Sequence, residues 1–238
     1  MSEPVAEAGQ LPVQPGHALL EAVAVMDRLR SPGGCPWDAE QTHRSLAPYL
    51  LEEAYEAYQT LEDGDSNGLR DELGDVLLQV LFHARVAAED PGGWDIDDVA
   101  AGLVAKLVRR HPHVFADTQV TGSADVEANW DAIKKTERPT RGITEGVPLA
   151  LPALALAAKL QSRGSRTGAW SAPDDLGQGV QDAAAAAAAH PTEAAVADLL
   201  LAAVTLARSA GVDPEAALRR RALLLHDELT EAGRAAPA

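Results

Sequence analysis

Two acidic segments that lie close together in the sequence carry the side chains with the clearest chemical potential. The segment LLEEAYEAYQTLED places Glu52, Glu53 and Glu56 within one helical turn. The segment LRDELGDVLLQVLFH follows it and places Glu72 and Asp75 ahead of an apolar run. Five carboxylates on two neighbouring antiparallel helices repel one another at neutral pH unless a cation lies between them. Because these ligands are hard oxygen atoms and no cysteine accompanies them, the pattern predicts a site for Mg²⁺ or Mn²⁺.

A solvated acidic face is the alternative interpretation of the first segment. The opposite arc of that helix holds apolar and aromatic residues, as in an ordinary amphipathic helix: Leu50, Leu51, Ala54, Tyr55, Tyr58 and Leu61. Taken alone, the first segment favours this alternative over a metal site.

The second acidic segment favours the metal site. Between Val76 and Val86 apolar residues surround most of the helix, so we expect it to be buried among neighbours. A stripe about 80° wide holds the polar residues Glu72, Asp75, Gln79 and His83. A buried charge without a partner costs several kcal/mol or shifts its pKa, so this stripe needs a partner. Gly74, within the acidic part, is either a packing glycine or a point where a neighbour or ligand approaches closely.

A basic and aromatic segment follows in this otherwise acidic chain. Lys106 and Arg110 are one helical turn apart in AKLVRRHPHVF, a spacing that can hold phosphate oxygens. The alternative is a favourable helix end, because the last turn of a helix attracts cations. Trp130 and Lys134 have the same spacing in NWDAIKKTE, although a tryptophan in the core is the commoner case. Together with the acidic segments, these residues indicate a site for an anionic, aromatic, metal-bound ligand such as a nucleoside triphosphate.

Composition limits the class of protein. The chain has 238 residues, of which 46% are hydrophobic, enough for one large or two small globular domains. Its net charge of −16 repels polyanions, so we expect no nucleic acid partner and no anionic membrane surface. The longest apolar run, at residues 199–207, is shorter than the roughly 20 residues that span a bilayer. Cys35 is the only cysteine, so no internal disulfide can form, and we expect a cytoplasmic protein.

Helix-forming residues dominate the chain, and alternating β-branched stretches are scarce, so we predict an all-α fold. Residues 1–16 are predicted to be a flexible tail. The first unit, residues 17–137, is predicted to contain helices at residues 17–30, 46–62, 69–89, 96–110 and 125–137. Residues 138–151 are rich in proline and glycine, and are predicted to link this unit to a second helical unit at residues 152–238.

The second unit contains a match to the first. The segment GDVLLQVLFHARVA at residues 74–87 matches ADLLLAAVTLARSA at residues 197–210, at a constant offset of 123. At this offset Asp75 corresponds to Asp198, whereas Glu72 corresponds to Ala195. The region that would supply the other glutamates reads VQDAAAAAAAHP. We therefore predict that the second unit is a degenerate repeat with a structural role and no magnesium site.

The blocks of the first unit resemble the signature blocks of the MazG family of nucleoside triphosphate pyrophosphohydrolases. They are, in order, GGCPWDAEQTHRSLAPYLLEEAYEAY, DELGDVLLQVLFHA, KLVRRHPHVFAD and NWDAIKKTE. The segment from LPALALAAKLQSRGSRTGAW onward is similar to the second repeat of longer members. The resemblance implies an all-α bundle of about four helices per unit, which forms a homodimer. Trp37 and Gln41 lie in one of these blocks, without an assigned role.

The resemblance also implies an activity and a set of site residues. The expected reaction is the Mg²⁺-dependent hydrolysis of nucleoside triphosphates to monophosphates and pyrophosphate, as in the housecleaning of nucleotide pools. Carried over by position, the magnesium ligands are Glu53, Glu56, Glu72 and Asp75. Lys106 and Arg110 would then hold the triphosphate, with Trp130 and Lys134 near the nucleotide. Either Glu52 or Glu53 is expected to position or deprotonate the attacking water.

Three other functions are alternatives. An all-α pyrophosphohydrolase specific for one nucleotide, such as a dUTPase-like or phosphoribosyl-ATP-cleaving enzyme, is disfavoured by the CPWD and RRHPHVF blocks. A carboxylate-bridged di-iron bundle needs Glu-x-x-His pairs, which neither acidic block contains. A non-catalytic dimeric regulator that binds a nucleotide or a protein is disfavoured by the contrast between the two units, because the alanine-filled repeat shows that the same packing does not need the carboxylates.

Overall fold

The computed structural model describes residues 16–137 and 142–235, apart from the side chains at positions 127, 131, 135 and 235. Most of the predicted tail, residues 1–15, and part of the predicted linker, residues 138–141, lie outside the described residues. All regular secondary structure within the described ranges is helical, which confirms the predicted all-α class. The chain divides into two compact units, residues 1–135 and 136–238.

The helices of the first unit include five long ones and two short ones. They are α1 (His17–Arg30), α2 (Pro36–Glu40), α3 (His43–Asp63), α4 (Ser66–Ala87), α5 (Ile96–Arg110), α6 (Pro112–Phe115) and α7 (Ser123–Glu137). The predicted bounds of α1 and α5 are correct, and those of the other long helices differ by at most three residues. The short helices α2 and α6 were not predicted, because both begin at a proline inside segments that otherwise signal a helix stop.

A short turn joins α3 to α4 and sets the two helices side by side. α3 begins at a capping box formed by Thr42 and ends at Gly64. The φ of Gly64 is 69°, in the left-handed region that glycine adopts without strain. Asp65 then begins α4, because its carboxylate accepts hydrogen bonds from the backbone N–H groups of Asn67 and Gly68. The resulting hairpin holds the two acidic segments against each other in antiparallel orientation.

The core of the first unit lies where α1, α3 and α4 meet. Its buried side chains are Met26, Leu46, Leu81 and Phe82. Ile96, at the start of α5, packs against the same cluster. Burying each large apolar side chain contributes roughly 1.5–3 kcal/mol, so this cluster fixes α4 against both α1 and α3.

Arg30 attaches the segment before α3 to the end of α4. Its side chain is 2% exposed and donates to the two carboxylate oxygens of Glu89 at 2.9 and 2.8 Å. It also donates to the backbone carbonyl of Asp38 and, at 3.1 Å, to that of Gln41. These bonds hold α2, and with it Trp37, beside α4. The block that contains Trp37 and Gln41 therefore has a structural role, which was not predicted.

Much of the apolar surface of α4 and α5 is exposed in the single chain. Leu73 on α4 is 53% exposed, and Leu78 and Val80 are exposed as well. No residue of α5 is buried, and its Leu103 is 47% exposed. The expectation that α4 is buried on most sides is therefore wrong for this chain alone, because α1 and α3 cover only the side that faces the core. Exposed apolar surface of this kind is typical of a protein–protein interface.

The second unit is also helical. Its helices are α8 (Ala153–Thr167), α9 (Leu176–Ala189), α10 (Glu193–Ser209) and α11 (Pro214–Ala235). Arg208 on α10 donates to Gln161 on α8 at 3.1 Å. In the first unit Arg85 on α4, its counterpart at the offset of 123, donates to Asp27 on α1 at 2.8 Å. An arginine at the same repeat position thus joins two helices in each unit.

The helices of the described residues differ from membrane spans in length or in hydropathy. No single helix there is long and apolar enough to cross a membrane. The helices α10 and α11 meet the length and composition requirement only when taken together, and a bend of 108° separates them.

Glu89→Gln should destabilise the first unit. The hydrogen bonds from Arg30, with the charges of Arg30 and Arg85, hold the pKa of Glu89 below its usual range. Because the pKa of Glu89 is lower in the folded than in the unfolded protein, its ionised carboxylate stabilises the fold at any pH above the unfolded-state pKa. This stabilisation is lost as the pH falls through the folded-state pKa. Because the Glu89 side chain is 41% exposed, we expect a loss of about 1–2 kcal/mol in the free energy of unfolding at neutral pH, measured by urea denaturation.

The pH dependence and a matched variant provide the controls for Glu89→Gln. The difference from the wild type should vanish below the pKa of Glu89, where its carboxyl group is protonated in both states. Glu21→Gln removes a carboxylate from an exposed pair with His17 and should cost less than about 0.5 kcal/mol. Equal losses in the two variants would contradict the role given to the Arg30–Glu89 pair.

Candidate metal centre

Three carboxylates meet between α3 and α4. Ligand oxygen atoms of Glu53, Glu56 and Glu72 lie within 4.8 Å of one another. Glu53 and Glu72 are partly buried, whereas Glu56 is exposed. The hairpin thus brings together three of the four side chains for which a magnesium ligand role is expected, two from α3 and one from α4.

The carboxylates of this cluster repel one another. Partial burial, followed by the charge of Asp75, raises the pKa of Glu53, with smaller contributions from the neighbouring glutamates. Partial burial, followed by the charge of Glu56, raises the pKa of Glu72. A side-chain hydrogen bond also joins Glu72 to Glu56, which requires a proton on one of the two carboxyl groups. The fully ionised cluster is therefore unfavourable without a counter-charge.

These residues fit a hard divalent cation. Every ligand atom of the cluster is a carboxylate oxygen, the donor type that Mg²⁺ and Mn²⁺ prefer. A cation among them favours the charged forms and opposes the raised pKa values of Glu53 and Glu72. Asp75 is close enough to raise both pKa values but lies outside the group of atoms within 4.8 Å, at the edge of the cluster. Glu52 also lies outside that group and is exposed.

Gly74 faces open space. A Cβ atom built on this residue meets no described atom within 4 Å. Its interpretation as a packing glycine is therefore wrong for the described residues. Close approach of a ligand or a second chain to Gly74 stays a prediction.

The polar stripe of α4 continues beyond the carboxylates. Gln79, one turn after Asp75, is 4% exposed, and its Oε1 atom has no hydrogen-bond partner among the described residues. The Nδ1 atom of His83, one turn further, lies 2.8 Å from Nδ1 of His43 on α3. Partial burial and the neighbouring His43 lower the pKa of His83. The sequence places Gln79 and His83 on the stripe, but it gave no sign of His43, because that contact depends on the packing of two helices.

The predicted basic and aromatic residues lie on α5 and α7. The Lys134 ammonium lies 4.3 Å from the centroid of a Trp130 ring, a favourable cation–π distance. The Trp130 ring centroid is 6.1 Å from that of His111. Lys106 and Arg110 lie one turn apart on α5. The structure therefore brings Trp130 and Lys134 together, whereas all ligand atoms of the carboxylate cluster come from α3 and α4.

His111 is a member of this aromatic group that the sequence analysis missed. It follows the last residue of α5, and its Nδ1 atom lies 2.7 Å from the carbonyl oxygen of Leu107. The histidines that flank Pro112 directly after two arginines are the sequence signal that could have identified it.

The fold and the site together define the class of this protein. It is an all-α protein with a centre of carboxylates, suited to a divalent cation, between two antiparallel helices. Residues 41–115 match the family model of the MazG nucleotide pyrophosphohydrolase domain. The matched range contains the whole α3–α4 hairpin and α5, and so includes every residue of the carboxylate cluster.

Several relatives match most of the chain. The nucleoside triphosphate pyrophosphohydrolase/pyrophosphatase MazG of Thermotoga maritima is 41% identical, over 84% of this chain and 79% of the relative. The nucleoside triphosphate pyrophosphohydrolase of Escherichia coli strain K12 is 40% identical, over 83% of this chain and 80% of the relative. A 26.1 kDa protein from the blaB 3′ region of Streptomyces cacaoi is 47% identical, over 92% of this chain and 84% of the relative.

The chain belongs to the MazG family, which confirms the resemblance inferred from its sequence blocks. This membership assigns it to the hydrolases that act on acid anhydrides.

Glu72→Gln should abolish most of the stabilisation that Mg²⁺ gives to the folded protein. A cation that binds only the folded cluster, at about 100 times its Kd, adds about 2.7 kcal/mol to the free energy of unfolding. We expect this gain in the wild type at neutral pH, measured as a rise in Tm on addition of MgCl₂. Without Mg²⁺, Glu72→Gln should raise the Tm, because it removes one of the repelling charges.

A matched glutamate in the second unit is the control for Glu72→Gln. Glu193 lies in the first turn of α10, the helix whose sequence matches α4. Glu193→Gln should leave the rise in Tm with Mg²⁺ unchanged. Retention of the full rise in Glu72→Gln would show that the cation binds elsewhere.

Proposed function

We propose that this chain is a Mg²⁺-dependent nucleoside triphosphate pyrophosphohydrolase of the cytoplasm. It cleaves the bond between the α- and β-phosphates, and releases a nucleoside monophosphate and pyrophosphate from the nucleotide pool. The observation that carries the proposal is the cluster of Glu53, Glu56 and Glu72, with the raised pKa values of Glu53 and Glu72. The names of the relatives from T. maritima and E. coli support the substrate class.

The carboxylates have two roles in the proposed mechanism. The residues that hold magnesium are Glu53, Glu56, Glu72 and Asp75. Magnesium, when bound, neutralises phosphate charge and lowers the pKa of a water molecule. Glu52 lies next to Glu53 on α3 but outside the three-carboxylate group, so its carboxylate remains available to accept the proton of the attacking water. Its exposure to solvent also gives that proton a route out.

The position of attack decides the products. Water that attacks the α-phosphorus in line displaces pyrophosphate, whereas attack at the γ-phosphorus displaces orthophosphate. We propose attack at the α-phosphorus, with Lys106 and Arg110 on α5 holding the β- and γ-phosphates through charge-assisted hydrogen bonds. Trp130 and Lys134 lie near the nucleotide, with the ammonium held against the ring by the cation–π contact.

The proposed active form is a homodimer. α5 carries both Lys106 and Arg110, yet no residue of this helix is buried and Leu103 is 47% exposed. Ile96 at its start packs against the core, but most of the apolar side chains of α5 are exposed in the single chain. A second copy of the chain that covers the exposed apolar surfaces of α4 and α5 would fix α5 and remove that surface from water.

The second unit has a structural role in this proposal. Its α10 keeps Asp198 at the position of Asp75, but alanine stands at the position of Glu72. Among the residues that the structure describes, Asp198 belongs to no group of three or more carboxylates that could hold a divalent cation. We therefore expect no magnesium site in the second unit.

Asp75→Asn should reduce hydrolysis by about a hundredfold or more, because it removes one carboxylate from the magnesium centre. Turnover is measured with the common nucleoside triphosphates and MgCl₂, with separation of monophosphate and pyrophosphate from diphosphate and phosphate. The control is Asp198→Asn at the matching position of the second unit, which should retain full activity. Diphosphate as the main product would overturn the proposed bond, and full activity of Asp75→Asn would overturn the proposed centre.

Two further outcomes of this assay decide between the proposal and its alternatives. Turnover of a single nucleotide with rejection of all others would support a nucleotide-specific enzyme of the dUTPase-like kind. Nucleotide binding without turnover of any substrate would support the non-catalytic dimeric regulator.

Leu103→Glu should dissociate the proposed dimer, because it places a charge in an apolar interface. Sedimentation velocity should give twice the mass of one chain for the wild type and the mass of one chain for the variant. Leu19→Glu changes a residue on α1 with nearly the same exposure, 48%, and should leave the dimer intact. A monomeric wild type, or a Leu103→Glu variant that stays dimeric, would contradict the assignment of α5 to the interface.

A further inference from the structure

The interface between α3 and α4 continues past the carboxylates toward the start of α3. Asp75 on α4 is close enough to Glu53 on α3 for its charge to raise the pKa of Glu53. Tyr49 lies four residues before Glu53, and Gln79 lies four residues after Asp75. Because the two helices are antiparallel, these equal steps place Tyr49 and Gln79 opposite each other, one turn beyond the metal centre.

Gln79 is buried without a complete set of hydrogen bonds. It is 4% exposed, and its Oε1 atom has neither a partner among the described residues nor any accessible surface. Buried polar atoms are nearly always paired, so an unpaired amide oxygen destabilises the fold unless something else binds there. Because departures from the rules of folding are expected at functional sites, this unpaired carbonyl oxygen one turn after Asp75 marks a position where a ligand can bind.

Two exposed aromatic side chains, Trp37 and Tyr49, form a ring cluster with Phe82 on α4. The Trp37 ring packs edge-on against Tyr49 at 6.2 Å and against Phe82 at 6.4 Å, and Phe82 is one turn from Gln79 on α4. Trp37 is 52% exposed and Tyr49 is 40% exposed. The bonds from Arg30 to the backbone of α2 hold Trp37 in place. A fixed, half-exposed indole is a suitable surface for stacking a base.

The spacing along α4 matches the dimensions of a nucleotide. The helix rises about 6 Å from Asp75 to Gln79, which is comparable with the distance from the α-phosphate of a nucleotide to its base. The next turn is closed by the stacked rings of His43 and His83, whose centroids are 5.1 Å apart. A ligand whose phosphates lie at the carboxylates therefore has its nucleoside beside Gln79.

We propose that Trp37, Tyr49 and Gln79 form the nucleoside subsite of this enzyme. The base stacks on Trp37, and the amide of Gln79 forms hydrogen bonds with the polar edge of the base once the Tyr49 side chain moves aside to admit it. Gln79 is then the residue that distinguishes one base from another. This inference rests on the proposed function, because the metal centre fixes where the phosphates lie.

Gln79→Leu tests the assignment through stability and selectivity together. The variant replaces a side chain whose carbonyl oxygen is unpaired with an apolar side chain of similar size, so the Tm without nucleotide should rise. The ratio of kcat/KM between the best and the worst of ATP, GTP, CTP and UTP should fall about tenfold, because a base-specific hydrogen bond is lost. The inhibition constant of inorganic tripolyphosphate with Mg²⁺ should not change, because this probe has no base.

A structural role for Gln79 would give a different set of results. The Tm would fall, kcat/KM would fall by the same factor for all four nucleotides, and tripolyphosphate would inhibit less well. That outcome, or an unchanged selectivity ratio, would overturn the inference. Gln59→Leu removes an amide that bonds to Asp63 on α3 and should leave the selectivity ratio as in the wild type.

Equilibrium binding separates this inference from the proposed function. If the wild type hydrolyses no nucleotide, the proposed function fails. The subsite is then tested by isothermal titration of the four nucleoside triphosphates with Mg²⁺ into the wild type, Gln79→Leu and Trp37→Leu. Affinities that differ between bases in the wild type and converge in Gln79→Leu, with weaker binding of every nucleotide to Trp37→Leu, would support the subsite. Unchanged affinities in both variants would overturn it.

Discussion

Repulsion among carboxylates between α3 and α4 is the constraint on which the rest of this site depends. Glu53, Glu56 and Glu72 have ligand atoms within 4.8 Å of one another, and the pKa values of Glu53 and Glu72 are raised. The cluster lowers the stability of the metal-free fold, since ionised carboxylates at this distance oppose folding. A divalent cation bound among the carboxylates attracts each of them and so offsets their mutual repulsion. The site is therefore best understood as a cation centre that destabilises the fold when no cation is bound.

The fold holds these carboxylates together by means of a short turn, an apolar core and an arginine that is paired outside the cluster. The turn at Gly64 and Asp65 sets α3 and α4 in antiparallel contact, and the core at Leu46 and Phe82 keeps them there. Arg30 secures the segment before α3 by binding backbone carbonyls and the Glu89 carboxylate. The unpaired carbonyl oxygen of Gln79 is buried on α4, one turn after Asp75, so the same helix carries repelling carboxylates and a polar atom that a ligand can satisfy.

The sequence predicted the helices and the acidic centre because both depend on local spacing. Glu53 and Glu56 are neighbours on any helix, and the Gly64–Asp65 turn makes contact with Glu72 almost unavoidable. The contact of His43 with His83, and the contact of Trp130 with His111, depend on how separate helices pack, which spacing does not encode. The exposure of Leu73 and Leu103 was not predicted either, because apolar periodicity shows that a face will be covered but does not show by which chain.

Proton release on Mg²⁺ binding is the most direct measurement of the central claim. Isothermal titration of MgCl₂ into the nucleotide-free protein, in buffers of different ionisation enthalpy, counts the protons displaced from the cluster. Because the pKa values of Glu53 and Glu72 lie above the ordinary value of 4.5, Mg²⁺ must displace protons in mildly acidic solution, and its affinity must increase as the pH rises. Glu53→Gln should remove most of that release. An affinity independent of pH, with no proton release, would contradict the account.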